Sequence, residues 1–287
     1  MDLTRAGDRL TARPGGSPLN VAVGLARLGA DVEFATSFGR DVNGQLLGEH
    51  LAASGVNITP SSVGEAMTSI AEATIGVDGS ASYRFDLRWD PDVTPARPAV
   101  AGHVGSISSV LEPGSRRVIE WAAGLRSRSV ISFDPNIRPS ITGLGPSLRD
   151  AVDRVAALAD IIKLSSEDLG FLADEDLPDR WANDGAALVL VTEGERGAML
   201  TTATDRVHVP ARAIDVADTI GAGDSFMAGL LFSLGRDGLL DRSALRATHI
   251  DELARHAAFA VDCAAITVGR EGADPPTLDE VTRSKAR

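Results

Sequence analysis

The chain has 287 residues, and its hydrophobic content of 44% and charged content of 24% are ordinary for a soluble globular protein. Its formal net charge of −12 argues against nucleic acid as a partner, because nucleic-acid phosphates require a basic surface. A single cysteine excludes an intrachain disulfide, and without a signal-peptide pattern or an apolar run of the ~20 residues that a membrane span needs, we expect a cytoplasmic protein without membrane contact.

The first third of the chain combines helices with short strands. Apolar periodicity predicts helices at 20–28 and 41–54, and strands at 32–39, 69–77 and 82–87. The last two strands flank the sequence Val77-Asp78-Gly79-Ser80, and Asp-Gly is a strong signal for a tight hairpin. This hairpin interrupts the alternation of strands and helices, so we predict that it belongs to a small β-sheet appendage.

From about residue 100 onwards, strands and helices alternate regularly. The predicted strands are 104–108, 130–133, 161–164, 187–192, 197–201 and 206–209, and the predicted helices are 118–126, 148–159, 166–172, 224–235 and 251–265. This alternation predicts a mostly parallel sheet with helices on both faces and ligands at the carboxyl ends of its strands. We expect one domain over 1–287, with a charged tail that frays after Thr277.

The most informative segment is 218–229, which reads Asp-Thr-Ile-Gly-Ala-Gly-Asp-Ser-Phe-Met-Ala-Gly. Gly221 and Gly223 permit a tight turn whose N–H groups face one point, at the start of a helix that attracts phosphate. Asp224 follows where an incoming hydroxyl could meet that phosphate. From these residues alone, Asp224 or Ser225 could instead simply cap the helix.

Other phosphate-binding motifs do not fit. A P-loop is excluded because the sequence contains no Gly-x-x-x-x-Gly-Lys. A dinucleotide fingerprint would need a third glycine where Phe226 stands.

A second glycine turn occurs near the start, in Gly15-Gly16-Ser17-Pro18-Leu19-Asn20. The glycines form a turn, and Asn20 begins the first helical pattern. Taken alone, Asn20 could serve only as a helix cap.

Together, the two segments resemble the motifs of the ribokinase-like (PfkB) sugar kinases, and most of all those of fructokinases. Further matching segments bring the resemblance to nearly the whole chain, from residue 2 to about 278; they are 134–139 (Asp-Pro-Asn-Ile-Arg-Pro), 192–197 and 267–276. The resemblance implies a three-layer α/β/α sandwich with a mostly parallel central sheet. It also implies a small β-sheet lid, formed here by about 4–14 and 66–92.

One departure concerns the start of the chain. Members of this family open with a central strand, whereas Met1-Asp2-Leu3 matches only the end of that segment. We therefore expect the first central strand to be missing from this sequence, which puts the sugar-binding half and the activity of the chain in question.

The resemblance implies transfer of the γ-phosphate of ATP to a sugar hydroxyl, with fructose as the expected sugar. Asp224 would take the hydroxyl proton, while the amides of Gly221, Ala222 and Gly223 would stabilise charge on the phosphate. The residues expected to bind the sugar are Asp2, Gly15, Gly16, Asn20, Phe85, Arg138 and Asp224.

The resemblance also implies an ATP site and two ion sites. ATP would contact Lys163, Ser165, Thr192, Gly194, Gly197, Gly221 and Gly223. Mg²⁺ would lie near Glu167 and Asp168, through water, and a monovalent cation such as K⁺ near Asp218, Thr219, Arg270 and Gly272. Simpler roles stay open: Ser165 and Asp168 as a helix cap, the glycines of 192–197 as hairpin residues, and Arg138 as a surface arginine.

Other functions stay open as well. Kinases of 2-keto-3-deoxygluconate share Asp134 and Arg138, and Arg84 or Arg88 could bind the substrate carboxylate. A nucleoside kinase is a further alternative. A non-catalytic sugar- or nucleotide-binding protein is an alternative of another class. Because lids of this family often pair between subunits, we also expect a homodimer through the lid.

Overall fold

The computed structural model describes residues 1–76, 81–94 and 97–285, so the predicted hairpin turn at 77–80 lies outside it. Its strands are β1 (Asp2–Ala6), β2 (Arg9–Arg13), β3 (Glu33–Phe34), β4 (Asn57–Ile58), β5 (Ile70–Ile75), β6 (Ala81–Asp86), β7 (Ala101–Gly105), β8 (Val130–Asp134), β9 (Ile161–Ser165), β10 (Leu188–Thr192), β11 (Gly197–Thr201) and β12 (Arg206–Pro210). Its helices are α1 (Ser17–Leu28), α2 (Val42–Ala53), α3 (Gly114–Leu125), α4 (Pro139–Thr142), α5 (Pro146–Ala156), α6 (Ser166–Leu172), α7 (Leu177–Asp184), α8 (Ala222–Arg236), α9 (Arg242–Ala247), α10 (Ile250–Val268) and α11 (Leu278–Lys285).

The central sheet has the strand order β12-β11-β10-β9-β8-β7. Strands β7 to β10 run parallel, and β11 and β12 add an antiparallel edge. Helices α1, α8 and α10 pack on one face, while α3, α5 and α7 pack on the other. This arrangement confirms the predicted three-layer sandwich. Within the described residues, no helix is long and apolar enough to cross a bilayer.

The alternation of side chains along the parallel strands decides which residues face the site. Val130 and Ile161 pack in the core under α8, whereas Ile131 and Ile162 pack under α3. Because side chains alternate between the faces of a sheet, Asp134 and Lys163 lie on the α8 side, near the carboxyl ends of their strands.

A separate four-stranded sheet has the order β2-β1-β5-β6. The polar segment at the start of the chain forms its first two strands, and β1 pairs in parallel with β5. Strands β3 and β4 form a further parallel pair. Among the described strands, β7 has one pairing neighbour, β8. A cavity of about 1840 Å³ extends from the carboxyl end of the central sheet to residues of β3 and β7.

Two predicted elements were wrong in position. The strand predicted at 104–108 is Ala101–Gly105, followed by a 3₁₀ turn at Ser106–Ser109. The first residues of this strand form no apolar run in the sequence, since position 102 must be glycine. Gly102 packs under Trp121, and an added Cβ atom would lie 2.9 Å from the ring. The strand predicted at 32–39 shortens to two residues, Glu33–Phe34.

The prediction that the tail frays was also wrong. Residues Leu278–Lys285 form α11, and Val281 is fully buried in a small core with Leu28, Phe259 and Cys263. The segment is charged overall, but one apolar side chain anchors it.

Replacing Val281 with alanine should therefore lower the free energy of unfolding by about 1–3 kcal/mol, because it leaves a cavity in that core. Chemical denaturation measures this change. The exposed neighbour Arg283 provides the control, and Arg283→Ala should stay within about 0.5 kcal/mol of the parent. Equal stability of the two variants would show that α11 does not contribute to the core.

Candidate active site

The start of α8 forms a backbone cradle at the carboxyl end of the sheet. Gly221 is its N-cap residue, with φ of 76°, and a Cβ atom there would lie 2.6 Å from the Cβ of Ala273. Both the backbone angle and the close approach therefore require glycine. Asp224 is the third residue of the helix, so the alternative in which it or Ser225 caps the helix is wrong.

The backbone amides of this turn differ in whether they already donate a hydrogen bond. The N–H of Ala222 donates to the carbonyl of Thr219 at 3.3 Å, so the expectation that it faces a phosphate is not supported. The amides of Gly223 and Asp224 belong to the first turn, where helix geometry supplies no partner. These two amides and the helix dipole are available to an anion.

The Asp224 carboxylate is held by the first helix. Ser17 Oγ donates to Asp224 Oδ1 at 2.6 Å, and Asn20 Nδ2 donates to Oδ2 at 2.8 Å. Helix α1 begins at Ser17 with Gly16 as its N-cap residue, so the alternative role of Asn20 as a helix cap is wrong. Asp224 is 6% exposed, and these two donors orient its carboxylate at the base of the cavity.

The remaining predicted sugar-binding residues converge on the same cavity. A Cβ atom on Gly15 would lie 1.8 Å from Asp2 Oδ2, so only glycine lets this backbone pass the carboxylate. The positive charge of Arg138 acts on Asp2, although the Arg138 guanidinium also donates to the carbonyl of Ile137 at 2.9 Å. Phe85 stacks with the exposed ring of Tyr83, with 6.3 Å between centroids, and both line the cavity.

A buried ion pair lies beneath the cradle. Lys163 Nζ donates to Asp134 Oδ2 at 2.8 Å, and the two side chains are 5% and 0% exposed. Burial raises the pKa of Asp134 to about 6, although Lys163 opposes the shift. Burial alone would lower the pKa of Lys163, but Asp134 and Asp224 together raise it above its usual range.

Three side chains of this site were not assigned a role from the sequence: Ser17, Asp134 and His103. Asp134 directly follows the predicted strand 130–133, at the edge where ligands bind, and this position was an available signal. Ser17 lies between glycines and a proline, and nothing local indicates its partner. His103 Nδ1 lies 3.0 Å from Ser132 Oγ, while its Nε2 is buried and has no partner among the described residues.

The residues predicted to bind ATP separate into two groups. Ser165, Thr192 and Gly194 line the cavity beside the cradle. Gly197 instead lies in the hairpin of β11 and β12, where a Cβ atom would meet the carbonyl oxygen of Val209 at 2.1 Å. The partner strand therefore requires glycine at 197, and a contact between Gly197 and ATP stays a prediction.

The predicted magnesium ligands also separate. The Asp168 carboxylate is buried and accepts hydrogen bonds from the amides of Ile137 (2.7 Å) and Ser165 (2.9 Å), and Ser165 caps α6 in return. These hydrogen bonds orient the Asp168 carboxylate, which also lines the cavity, and its contact with Mg²⁺ through water stays a prediction. Glu167 is exposed and lines the cavity. Among the described residues, no group of three or more metal-ligating side chains occurs.

The two segments expected around a monovalent cation do meet. The Asp218 carboxylate accepts hydrogen bonds from the amides of Ile220 (3.0 Å) and Gly272 (2.9 Å). Arg270 is directed elsewhere, with its guanidinium donating to Glu280 at 2.6 Å. The Arg270 side chain therefore offers no ligand to an ion, and a cation near these four residues stays a prediction.

Comparison with known proteins agrees with this geometry. The model of the family described as pfkB family carbohydrate kinase matches residues 2–280. A fructokinase of Klebsiella pneumoniae is 36% identical over 303 residues, covering 99% of this chain and 96% of the relative. A fructokinase of Rhizobium leguminosarum bv. trifolii is 37% identical over 245 residues, covering 79% and 73%.

Solved structures show the same fold. Aminoimidazole riboside kinase from Salmonella enterica, complexed with aminoimidazole riboside and an ATP analogue, superposes with a TM-score of 0.83 at 27% identity, covering 100% of this chain and 96% of the other. A fructokinase from Xylella fastidiosa with bound ATP gives 0.83 at 26% identity, with the same coverage.

The fold and the site define a sugar kinase. The chain belongs to the pfkB family of carbohydrate kinases, which confirms the resemblance. It is therefore an enzyme, and the alternative of a non-catalytic binding protein is set aside. The family implies ATP and a divalent metal as its reaction partners.

Position 221 requires glycine, because its φ is positive and an added Cβ atom would lie too close to Ala273. Gly221→Ala should therefore displace the cradle. We expect kcat to fall by about 100-fold and the free energy of unfolding by about 1–2 kcal/mol. Steady-state kinetics and chemical denaturation measure these changes.

Gly48 is the matched control, because it lies within α2 with no atom near its added Cβ. Gly48→Ala should keep the parental rate and gain up to about 1 kcal/mol in stability. A Gly221→Ala variant with the parental rate would contradict the assignment of the cradle.

Proposed function

We propose that this enzyme transfers the γ-phosphate of ATP to a hydroxyl of fructose. The observation that supports the proposal most strongly is the placement of Asp224. Its carboxylate is oriented by Ser17 and Asn20 and lies in the first turn of a helix whose free amides can receive a phosphate. The proton acceptor Asp224 thus directly follows Gly223, whose amide belongs to the anion site.

The reaction then follows from this placement. The sugar oxygen forms a bond to the γ-phosphorus while the bond from that phosphorus to the bridging oxygen of ADP breaks, and Asp224 takes the hydroxyl proton. Phosphoryl transfer passes through a loose transition state, so alignment and charge stabilisation provide most of the rate. The two donors to Asp224 supply the alignment, and the amides of Gly223 and Asp224 stabilise the phosphoryl charge.

We assign the nucleotide and Mg²⁺ to other residues in and beneath the same cavity. Ser165, Thr192 and Gly194 would contact ATP, with Lys163 adding positive charge from beneath the cradle. Glu167 offers a carboxylate to Mg²⁺ through water, and the ion would neutralise phosphate charge when bound.

A monovalent cation such as K⁺ is proposed at the loop joined by the Asp218–Gly272 hydrogen bond, beside Thr219. A fructokinase structure from Vibrio cholerae, 25% identical to this chain with a TM-score of 0.82, contains fructose, ADP and a potassium ion.

Of the two arginines considered for a keto-acid substrate, Arg84 is engaged elsewhere, whereas Arg88 lines the cavity. Arg84 donates to the buried carboxylate of Glu72 at 2.8 Å, and Arg5 donates to the same carboxylate. Arg84 is therefore engaged within the small sheet. The relatives named fructokinases support fructose, while the structural likeness to aminoimidazole riboside kinase keeps a nucleoside substrate as the alternative to test.

The small sheet is proposed to act as a lid over the sugar. Its strands carry Phe85 and Tyr83 into the cavity wall, so closure would exclude water that otherwise hydrolyses ATP. The homodimer through this lid and the cytoplasmic location remain proposals of the same kind.

Removing the proton acceptor should nearly abolish turnover. We expect Asp224→Asn to lower kcat by about 1000-fold, with little change in sugar affinity, because the amide keeps the shape of the side chain. An ADP-coupled assay and isothermal titration measure the two quantities.

Asp251 is the matched control, since it also lies in the first turn of a helix but is exposed. Asp251→Asn should retain the parental rate. Turnover by Asp224→Asn close to that of the parent would show that Asp224 is not the base.

The substrate is tested with a panel of fructose, 2-keto-3-deoxygluconate and aminoimidazole riboside. We expect kcat/KM for fructose to exceed that for either competitor by about 10-fold or more. A higher kcat/KM for another member of the panel would reassign the substrate while leaving the kinase chemistry intact.

A further inference from the structure

The ion pair of Asp134 and Lys163 lies directly under the first turn of α8. A Cβ atom built on Gly223 would lie 2.6 Å from Lys163 Nζ, so the ammonium packs against the residue that precedes Asp224. Within the described residues, its hydrogen-bond partner is Asp134. Asp134, at the end of β8, therefore fixes the position of the ammonium. The ammonium in turn limits where the first turn of α8 can lie.

We propose that Lys163, fixed by Asp134, is a positioning residue that holds the Gly223 turn and the Asp224 carboxylate in the geometry needed for phosphoryl transfer. The inference rests on the proposed role of Asp224 as the base, but not on which sugar is bound. Lys163 acts through the backbone and the charge of its neighbours, whereas Asp224 meets the substrate.

The charges around the pair support this role. One ammonium interacts with three carboxylates, those of Asp134, Asp168 and Asp224, and its pKa is raised despite burial. His103 faces the same group from β7, and burial together with Lys163 lowers its pKa to about 3. At neutral pH, Lys163 is thus the cation of this cluster, and His103 is neutral.

A pH effect follows from the direction of the Asp134 shift. Burial raises the pKa of Asp134 to about 6, so the carboxylate takes up a proton as the pH falls through that value. Lys163 then loses its ionised partner, and its charge can be drawn towards Asp224. We expect an acid limb of kcat near pH 6 in the parent enzyme.

A purely structural role must be separated from a positioning role. Removing one partner of a buried ion pair leaves an uncompensated charge and destabilises the fold whatever the pair does, whereas replacing both partners with apolar side chains is often neutral. The decisive variant is therefore the double replacement Asp134→Leu/Lys163→Met. The pair of Asp160 and Arg242, joined at 2.6 Å with Asp160 fully buried next to the amino end of β9, is the control.

The double variant should unfold at nearly the same denaturant concentration as the parent, while its kcat falls by about 100-fold and its KM for the sugar changes little. The single variant Asp134→Asn imitates the protonated carboxyl, so it should show low kcat and no acid limb between pH 5 and 7. Asp160→Asn should lose stability but keep the parental kcat. Parental kcat in a stable double variant, or an unchanged acid limb in Asp134→Asn, would overturn the proposal.

Hydrogen exchange separates failure of this inference from failure of the proposed function. In the protein without ligands, the peptide covering 218–229 should exchange faster in the double variant than in the parent, and Asp160→Asn should leave it unchanged. If no sugar were phosphorylated by the parent, the proposed function would be wrong, and unchanged exchange would in addition reject the positioning role.

Discussion

The site depends on the contact between α1 and α8. The two helices approach so closely that a Cβ atom on Gly24 would lie 2.7 Å from the Cβ of Ala228. This approach brings Ser17 and Asn20, near the start of one helix, to the carboxylate of Asp224, near the start of the other. Two segments about 200 residues apart thus form a single unit, in which the starts of both helices supply the polar groups.

The charge distribution explains how an acidic protein can bind an anionic nucleotide. The net charge of −12 describes the whole surface, but the cradle presents backbone amides and a helix dipole. Lys163 adds a buried positive charge from below. This cation is held by Asp134, whose own burial would be unfavourable without it. The anion site therefore depends on oriented backbone amides and one buried cation, and not on the net charge of the surface.

Much of the fold was predictable because its signals are local. Apolar runs such as Val130–Asp134 and Leu188–Thr192 mark buried strands whatever their neighbours are. Other elements were not predictable in this way. The strand Ala101–Gly105 includes a glycine that is required by Trp121 from α3, and α11 is held by the single buried side chain of Val281. Both depend on partners that are distant in sequence.

By itself, the sequence determined the strands of the central sheet and most of the longer helices, the two glycine turns and the resemblance to the kinase family, since these depend on residue type at short spacing. Only the tertiary structure decided which polar groups meet. It showed that Ser17 and Asn20 hold Asp224, that Asp168 and Ser165 cap α6 reciprocally, and that Gly197 packs against the neighbouring strand. The physical reason is that a carboxylate or an amide can be satisfied by many partners, and packing between distant segments selects one of them.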